Sequence, residues 1–268
     1  MIQNAIVPVA GLGTRLLPAT KSQPKEMLPV ARKPIVQYVA EELVNNGVKQ
    51  ILFVTGRGKS SIENHFDHDP ELNRLLEQSN KQELLDALDF NELKANYFYT
   101  RQPFQKGLGD AILCGESFAG QGPFVVALGD SIIGLHGQAK LIAQMVELFE
   151  THHASAVVAV EEVPPEDVKN YGVIEPASMD GDVIRVANLI EKPDVGSAPS
   201  NLAIAARYVF SPLIFDLIKQ VKPDKRGEIQ LTNAIQTMCE EGRRVLAVKL
   251  PENQRRYDIG NFPSYFES

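Results

Sequence analysis

Residues 9–29 read VAGLGTRLLPATKSQPKEMLP and gather two glycines, an arginine and a lysine into one proline-bounded stretch. Gly11 and Gly13 let the backbone pass close to a ligand and turn N–H groups toward anionic oxygens. Arg15 adds a planar fork that suits two phosphate oxygens at once. Lys25 adds a point charge, and Pro18, Pro24 and Pro29 stiffen the loop that presents it. Two familiar nucleotide loops fail on spacing. The dinucleotide fingerprint needs a third glycine three residues after the second, where this chain has Leu16, and no G-x4-G-K-[ST] loop occurs in this region. On residue types alone the stretch is either a phosphate cradle or a proline-stiffened surface turn with solvated cations. So long a restrained loop with little regular structure favours the cradle.

Other chemistry-bearing residues sit just past apolar runs. Gln102 and Gly107 follow ANYFYT (95–100), and Asp130 follows PFVVAL (123–128) in LGDS. Ligands of open α/β sheets bind at the carboxyl ends of strands, and magnesium takes one or two carboxylates plus phosphate oxygens. Taken singly, Gln102 is as well read as a loop glutamine, and Glu191–Lys192 as a solvated pair at a strand end. No Ser–His–Asp arrangement is visible. The histidines at 65, 68, 136, 152 and 153 stand apart from these stretches, and His152 and His153 suit the carboxyl end of a helix.

The elements that must position these residues alternate. Strands are predicted at 4–9, 50–55, 95–100, 123–128, 154–163 and 244–250, with helices over 35–47, 109–118, 138–152, 212–219 and 229–241. Continuous apolar strands point to a sheet covered on both faces, and the alternation to right-handed crossovers. The expected fold is α/β: a Rossmann-like, mixed and mostly parallel central sheet flanked by helices. Two stretches break the rhythm. Residues 59–92 read as an acidic helical insertion whose Leu72, Leu75, Leu76, Leu84, Leu85 and Leu88 are expected in the core. Residues 164–210, rich in proline and glycine, read as a small antiparallel subregion. The whole of 1–268 is expected to form one domain with these elaborations.

Composition narrows the class. The 268 residues are 44% hydrophobic and 23% charged, ordinary for a globular chain. A net charge of −7 argues against binding nucleic acid through its phosphates. No apolar run approaches the ~20 residues that span a bilayer, so no membrane association is expected. The start MIQNAIVPVA lacks a secretory n-region, and Cys114 and Cys239 lack metal spacing, which suits buried reduced thiols in a cytoplasmic protein. Residues 1–40 carry Arg15, Lys21, Lys25, Arg32 and Lys33 against Glu26 alone, whereas residues 59–93 carry nine acids against Lys59, Arg74 and Lys81. That asymmetry would draw a small anion to the first segment.

The pattern G-x-G-T-R-x-x-P-x-T-x-x-x-P-K resembles the signature of sugar-1-phosphate nucleotidylyltransferases. ATKSQPKEMLPV is closest to the form found in bacterial UTP–glucose-1-phosphate uridylyltransferases. GKSSIENHFD, RQPFQKGLGDA, VALGDS, YGVIEP, LIEKP, GEIQLTNAI and RYDIGN follow in that family's order across essentially the whole chain. The resemblance implies attack of a glucose 1-phosphate oxygen on the α-phosphorus of UTP, giving UDP-glucose and pyrophosphate with Mg2+ as cofactor. It places Ala10, Gly11, Gly13 and Thr14 at the nucleotide, with Arg15 on the triphosphate and Lys25 at the α-phosphate. Gln102 and Gly107 would meet the uracil. Gly172 and Glu191 would hold the sugar, Lys192 its phosphate, and Asp130 with Asp258 the metal. Only the fold can bring those two aspartates together.

Two departures stand out: Ser131, where many relatives have a second aspartate, and Asp110, where they often carry histidine, whose role stays open. A homo-oligomer is expected, although longer relatives continue past the position of Asp258, which argues against an assembly built from a C-terminal extension. The alternatives are dTTP or CTP as donor, which PKEMLP and the acidic insertion weigh against, and a non-catalytic nucleotide-sensing subunit on the same fold. Intact Arg15, Lys25 and Asp130 weigh against the latter. Lys25→Ala is expected to depress turnover far more than stability, a loop lysine adding little to packing.

Overall fold

Strand β1 (Asn4–Pro8) leads into the long loop, which ends in the short pair β2 (Pro29–Val30) and β3 (Lys33–Pro34) before α1 (Ile35–Asn45) and β4 (Gln50–Thr55). The computed structural model describes residues 2–88, 94–134, 140–251 and 253–268. Three short helices follow: α2 (Ser60–Phe66), α3 (Pro70–Gln78) and α4 (Gln82–Asp86). Next come β5 (Asn96–Arg101), α5 (Leu108–Leu113), α6 (Glu116–Ala119), β6 (Phe124–Ala127), β7 (Ser131–Ile133) and α7 (Leu141–Thr151). The rest comprises β8 (Ala156–Glu162), β9 (Gly172–Asp180), β10 (Val183–Glu191), β11 (Leu202–Phe210), α8 (Leu213–Gln220), α9 (Leu231–Glu240), β12 (Val245–Lys249), β13 (Arg256–Asp258) and α10 (Phe262–Phe266). Asp89, Glu92, His136 and the start of the helix predicted over 138–152 lie outside the described residues.

Nine strands form one sheet in the order β5-β4-β1-β6-β11-β8-β12-β10-β9. β5, β4, β1 and β6 pair in parallel, and β8 and β12 pair in parallel. β11 and β10 run against their neighbours, so the sheet is mixed, with most strands in one direction. Alternate residues supply two cores. Ile6, Phe124, Val126 and Val158 face the layer that holds α5, α8 and α9, while Val7, Val125 and Val157 face the layer of α1 and α7. With both faces covered, these strands are apolar throughout rather than alternating.

The predicted antiparallel subregion is present as β9, β10 and β11, which join the main sheet. The structure departs from the sequence reading at three places. Of the insertion leucines only Leu76 is buried; Leu72, Leu75 at 59% exposure and Leu84 face solvent, and Leu85 and Leu88 are half-buried. The reason is that α3 and α4 pack chiefly on one another instead of on the sheet. Cys114 and Cys239 are free but half-buried rather than sequestered. The helix predicted at 109–118 is interrupted between α5 and α6 at Gly115, where a Cβ would come within 2.5 Å of Ile6.

One charge interrupts the apolar core. Arg207, 0% exposed in β11, donates from Nη2 to Glu42 of α1 at 2.6 Å, to Ser131 O at 2.9 Å, and from Nη1 to Ala206 O at 3.2 Å. Its Nε reaches both Glu42 oxygens, at 3.3 and 3.1 Å. The register of β11 against β8 slips between Ile204 and Tyr208, and Ala206 sits there at φ 61. Such a bulge re-aims a side chain, and left-handed backbone at a non-glycine residue persists only where its surroundings over-determine it. Arg207→Met alone should lower unfolding free energy by about 3–5 kcal/mol, because Glu42 is left as an uncompensated buried charge. Arg207→Met with Glu42→Leu should recover most of it. Chemical denaturation measures both, and a single-variant loss below about 1 kcal/mol would refute the assignment.

Candidate functional site

Because β1, β4, β5 and β6 are parallel, their carboxyl ends share one edge of the sheet. β1 runs into Ala10–Arg15, β5 into Gln102 and β6 into Asp130, so three predicted segments meet there. The fourth arrives from the far end of the chain. β13 pairs with β7 so that Asp258 stands opposite Ser131, and Ile259 N donates to Asp130 O at 3.0 Å. Leu16, Leu28, Ile132 and Ile259 form a small core beneath, which anchors the glycine loop to this strand pair. The loop is a chain of single 3-10 turns. It reverses at Gly13, where φ is 66 and Thr20 Oγ1 donates to the carbonyl at 2.7 Å.

Two adjoining cavities result. The larger, about 510 Å³, is lined by Ala10, Gly11, Gly13, Thr14, Lys25, Gln102 and Gly107 among others. The smaller, about 280 Å³, is lined by Gly172, Asp258, Tyr171 and Thr232 among others. Arg15, Asp130, Glu191 and Lys192 line both. Every residue that the resemblance assigns to nucleotide, sugar or metal therefore lines one cavity or the other. At the smaller one, Thr232 of α9 donates to Glu191 Oε2 at 2.7 Å, and Lys192 Nζ lies 3.0 Å from Glu191 Oε1.

Sequence reasoning missed the residues that brace the site. Glu26, 1% exposed, pairs with Lys59 at 2.7 Å and so fixes the turn that carries Lys25. Arg256 pairs with Glu161 of β8, donates to Asp258 Oδ2 at 3.3 Å and lies 4.6 Å from the centre of the Tyr171 ring. A charge inside an apolar strand, as in NLAIAARYVF, was a readable signal for Arg207. Nothing local distinguishes Glu26, Lys59 or Thr232.

The electrostatics are those of a crowded, charge-balanced cleft. Lys25 Nζ makes an ion pair with Asp130. Burial pulls the Lys25 pKa down, but Asp130, Glu26 and Asp258 outweigh it and hold the ammonium above the ordinary lysine value. Burial likewise pushes Asp130 up, and Lys25, backbone and Arg256 reverse it, so this carboxylate ionises more readily than usual. Asp258 goes the other way: burial and the Asp130 charge raise its pKa against the pull of Arg256, Lys25 and Arg15.

Two hard oxygen donors that repel each other at the edge of a phosphate loop fit a divalent cation that keeps its remaining positions for water and phosphate. Among the described residues no group of three or more His, Cys, Asp and Glu forms a self-sufficient cage.

A raised folded-state pKa means that ionised Asp258 is unfavourable in the ligand-free fold. The penalty is fully present above the folded pKa and disappears as pH falls below the unfolded value near 4. Asp258→Asn should therefore raise the melting temperature at pH 7, on the order of 2–4 °C, with the gain vanishing toward pH 3.5. Thermal denaturation at the two pH values checks this, and a lower melting temperature at pH 7 would contradict it.

The chain resembles known proteins along nearly its full length. The Nucleotidyl transferase family matches residues 4–268. The UTP–glucose-1-phosphate uridylyltransferase of Bacillus subtilis is 45% identical over 259 residues, covering 97% of this chain and 87% of that protein. A UDP-glucose pyrophosphorylase complexed with UDP-glucose superposes with TM-score 0.89 at 38% identity, covering 100% of this chain and 97% of that one. A UTP-bound UGPase from Acinetobacter baumannii also gives 0.89 at 38% identity, covering 100% and 92%. With the family model matched over residues 4–268 and a relative 45% identical along 97% of its length, the chain belongs to the nucleotidyl transferase family.

Proposed function

We propose that this protein transfers uridylyl from UTP to α-D-glucose 1-phosphate, releasing UDP-glucose and pyrophosphate. The observation that carries the reading is the pair of adjoining cavities whose common wall includes Arg15, Asp130, Glu191 and Lys192. One is edged by the glycine turn and Gln102, suited to a nucleoside triphosphate; the other by Gly172 and Glu191, suited to a hydroxyl-rich ring. Relatives named for this reaction, at 45% identity over nearly the whole chain, support the choice of UTP and glucose 1-phosphate.

An oxygen of the sugar phosphate attacks the α-phosphorus of UTP, and the α–β bond breaks as pyrophosphate leaves. The nucleophile is already anionic, so no general base is required, and the work is positioning and charge neutralisation. Arg15 and the glycine-turn N–H groups hold the β- and γ-phosphates. Lys25 exchanges Asp130 for the α-phosphate, where negative charge gathers in the transition state. Lys192 holds the attacking phosphate, and Glu191, oriented by Thr232, accepts from sugar hydroxyls. Asp130 and Asp258 would hold Mg2+, which when bound neutralises triphosphate oxygens.

The chain works as one domain over 1–268 in this reading, as a cytoplasmic homo-oligomer. Among the described residues no helix is long and apolar enough to cross a membrane. The single shared sheet supports the one-domain reading, and the exposed leucines of α3 and α4 offer apolar surface for a second copy.

The test is pyrophosphate release from each nucleoside triphosphate with glucose 1-phosphate and magnesium. UTP should be the best donor; no release with any nucleotide would sink the enzyme reading, and faster release with dTTP would sink the uridylyl assignment. Lys25→Ala should lower kcat by about 10²–10³. The ion pair adds a correction to the expectation drawn from the loop alone: this variant leaves Asp130 beside Asp258 uncompensated, so its melting temperature at pH 7 should fall as well.

A further inference from the structure

At the base-binding end of the larger cavity one amide has its orientation fully specified. Gln102, 4% exposed, donates from Nε2 to Gly107 O at 3.1 Å and to Asp110 Oδ2 at 2.7 Å. A backbone carbonyl and an ionised carboxylate only accept, so the amide nitrogen must face them. Both N–H groups are thereby used, and among the described residues no donor reaches Oε1. What Gln102 offers the cavity is an acceptor.

Both anchors are rigid. Gly107 adopts φ 92, and a Cβ there would come within 2.8 Å of the Ile229 backbone. Ile229 N donates to Lys106 O at 2.7 Å and Gly109 N donates to Ile229 O at 2.9 Å, so the Gly107 carbonyl is held on both sides. Asp110 sits on the first turn of α5, behind Gln102 and outside the cavity lining.

We propose that Asp110 is a positioning residue that determines base specificity: it keeps Gln102 an obligate acceptor and so selects bases that present an imide N–H. The proposal rests on the uridylyl-transfer reading. Uracil and thymine carry a donor at N3. Cytosine carries an acceptor there and would set lone pair against lone pair. A site built around one hydrogen-bonding pattern rejects the wrong partner strongly, because the buried groups are left unpaired. The carboxylate is essential to this. An asparagine at the position can present either an acceptor or a donor to Gln102, and an alanine removes one of the two anchors, so both loosen the amide.

The experiment compares wild type, Asp110→Asn and Asp110→Ala. Pyrophosphate release is measured with UTP, dTTP and CTP at saturating glucose 1-phosphate and magnesium, and the Kd of UTP and of CTP is measured by calorimetry without sugar phosphate. Either variant should lower the UTP-to-CTP ratio of kcat/KM, and of affinity, at least tenfold. The UTP-to-dTTP ratio should stay constant, because thymine offers the same N–H, and kcat with UTP should stay within threefold. Asp110→Glu, which keeps the carboxylate, should restore part of the ratio. An unchanged UTP-to-CTP ratio overturns the proposal, also where kcat falls, since that is the mark of a merely structural residue. Wild type that binds UTP but releases no pyrophosphate would overturn the transfer reading instead, and the calorimetric ratio would still decide the role of Asp110.

Discussion

The architecture of the cleft depends on a buried guanidinium. Arg207 stands in the middle of the sheet, where an unpaired charge would be prohibitively unfavourable, and its donors are met by Glu42, Ala206 O and Ser131 O. These partners belong to α1, β11 and β7, three elements that the chain brings together from far apart. Ser131 follows Asp130 directly, so the planar fork that neutralises Glu42 also fixes the turn on which the candidate metal carboxylate sits. The bulge at Ala206 is the backbone distortion that brings the guanidinium there.

Around that fixed turn the cleft is built as a chain of exchanged charges. Lys59 meets Glu26, Lys25 meets Asp130, Asp130 disfavours ionised Asp258, and Arg256 partly relieves Asp258 from the other side. Removing a cation strands a carboxylate, and bringing in a phosphate frees one. The charges that line the cleft nearly cancel, so a triphosphate entering alone would leave it with surplus negative charge. The raised pKa of Asp258 and the lowered one of Asp130 are two sides of this arrangement: one carboxylate is matched by a lysine, and the other waits for a partner.

The strands and their two-sided burial were legible because they are local. An apolar run such as QILFVT reports a covered strand whatever lies elsewhere, and the spacing of Gly11, Gly13, Arg15 and Lys25 singled out the loop that edges the larger cavity. Two kinds of feature were not legible. Leu75 and Leu84 have helical spacing identical to that of core leucines, and only the absence of a sheet beneath α3 and α4 exposes them. Long-range pairings are also invisible, since Glu26 with Lys59 depends on which loops the sheet order brings side by side. Asp110 could be noticed as a departure from a pattern, but its chemistry appears only once the Gln102 amide is seen between two acceptors.

Residues 256–268 form one wall of the cleft. β13 supplies Asp258 opposite Ser131, Ile259 joins the small core under the loop, and Tyr265 Oη donates to Pro29 O at 2.8 Å where the phosphate loop ends. Arg256 carries the connection to the sugar side through Glu161 and the face of Tyr171. Parallel strands early in the chain thus make the half that carries the glycine loop, and the antiparallel hairpin β9–β10 makes the half that carries Gly172 and Glu191. The tail is the strand that touches both. Transfer between two bound phosphates demands that the halves keep their spacing, because a displacement of about 1 Å at the reacting atoms is enough to lower the rate by 10² or so. A tail stapled to both halves by ion pairs, a ring face and an apolar plug meets that demand with a handful of residues.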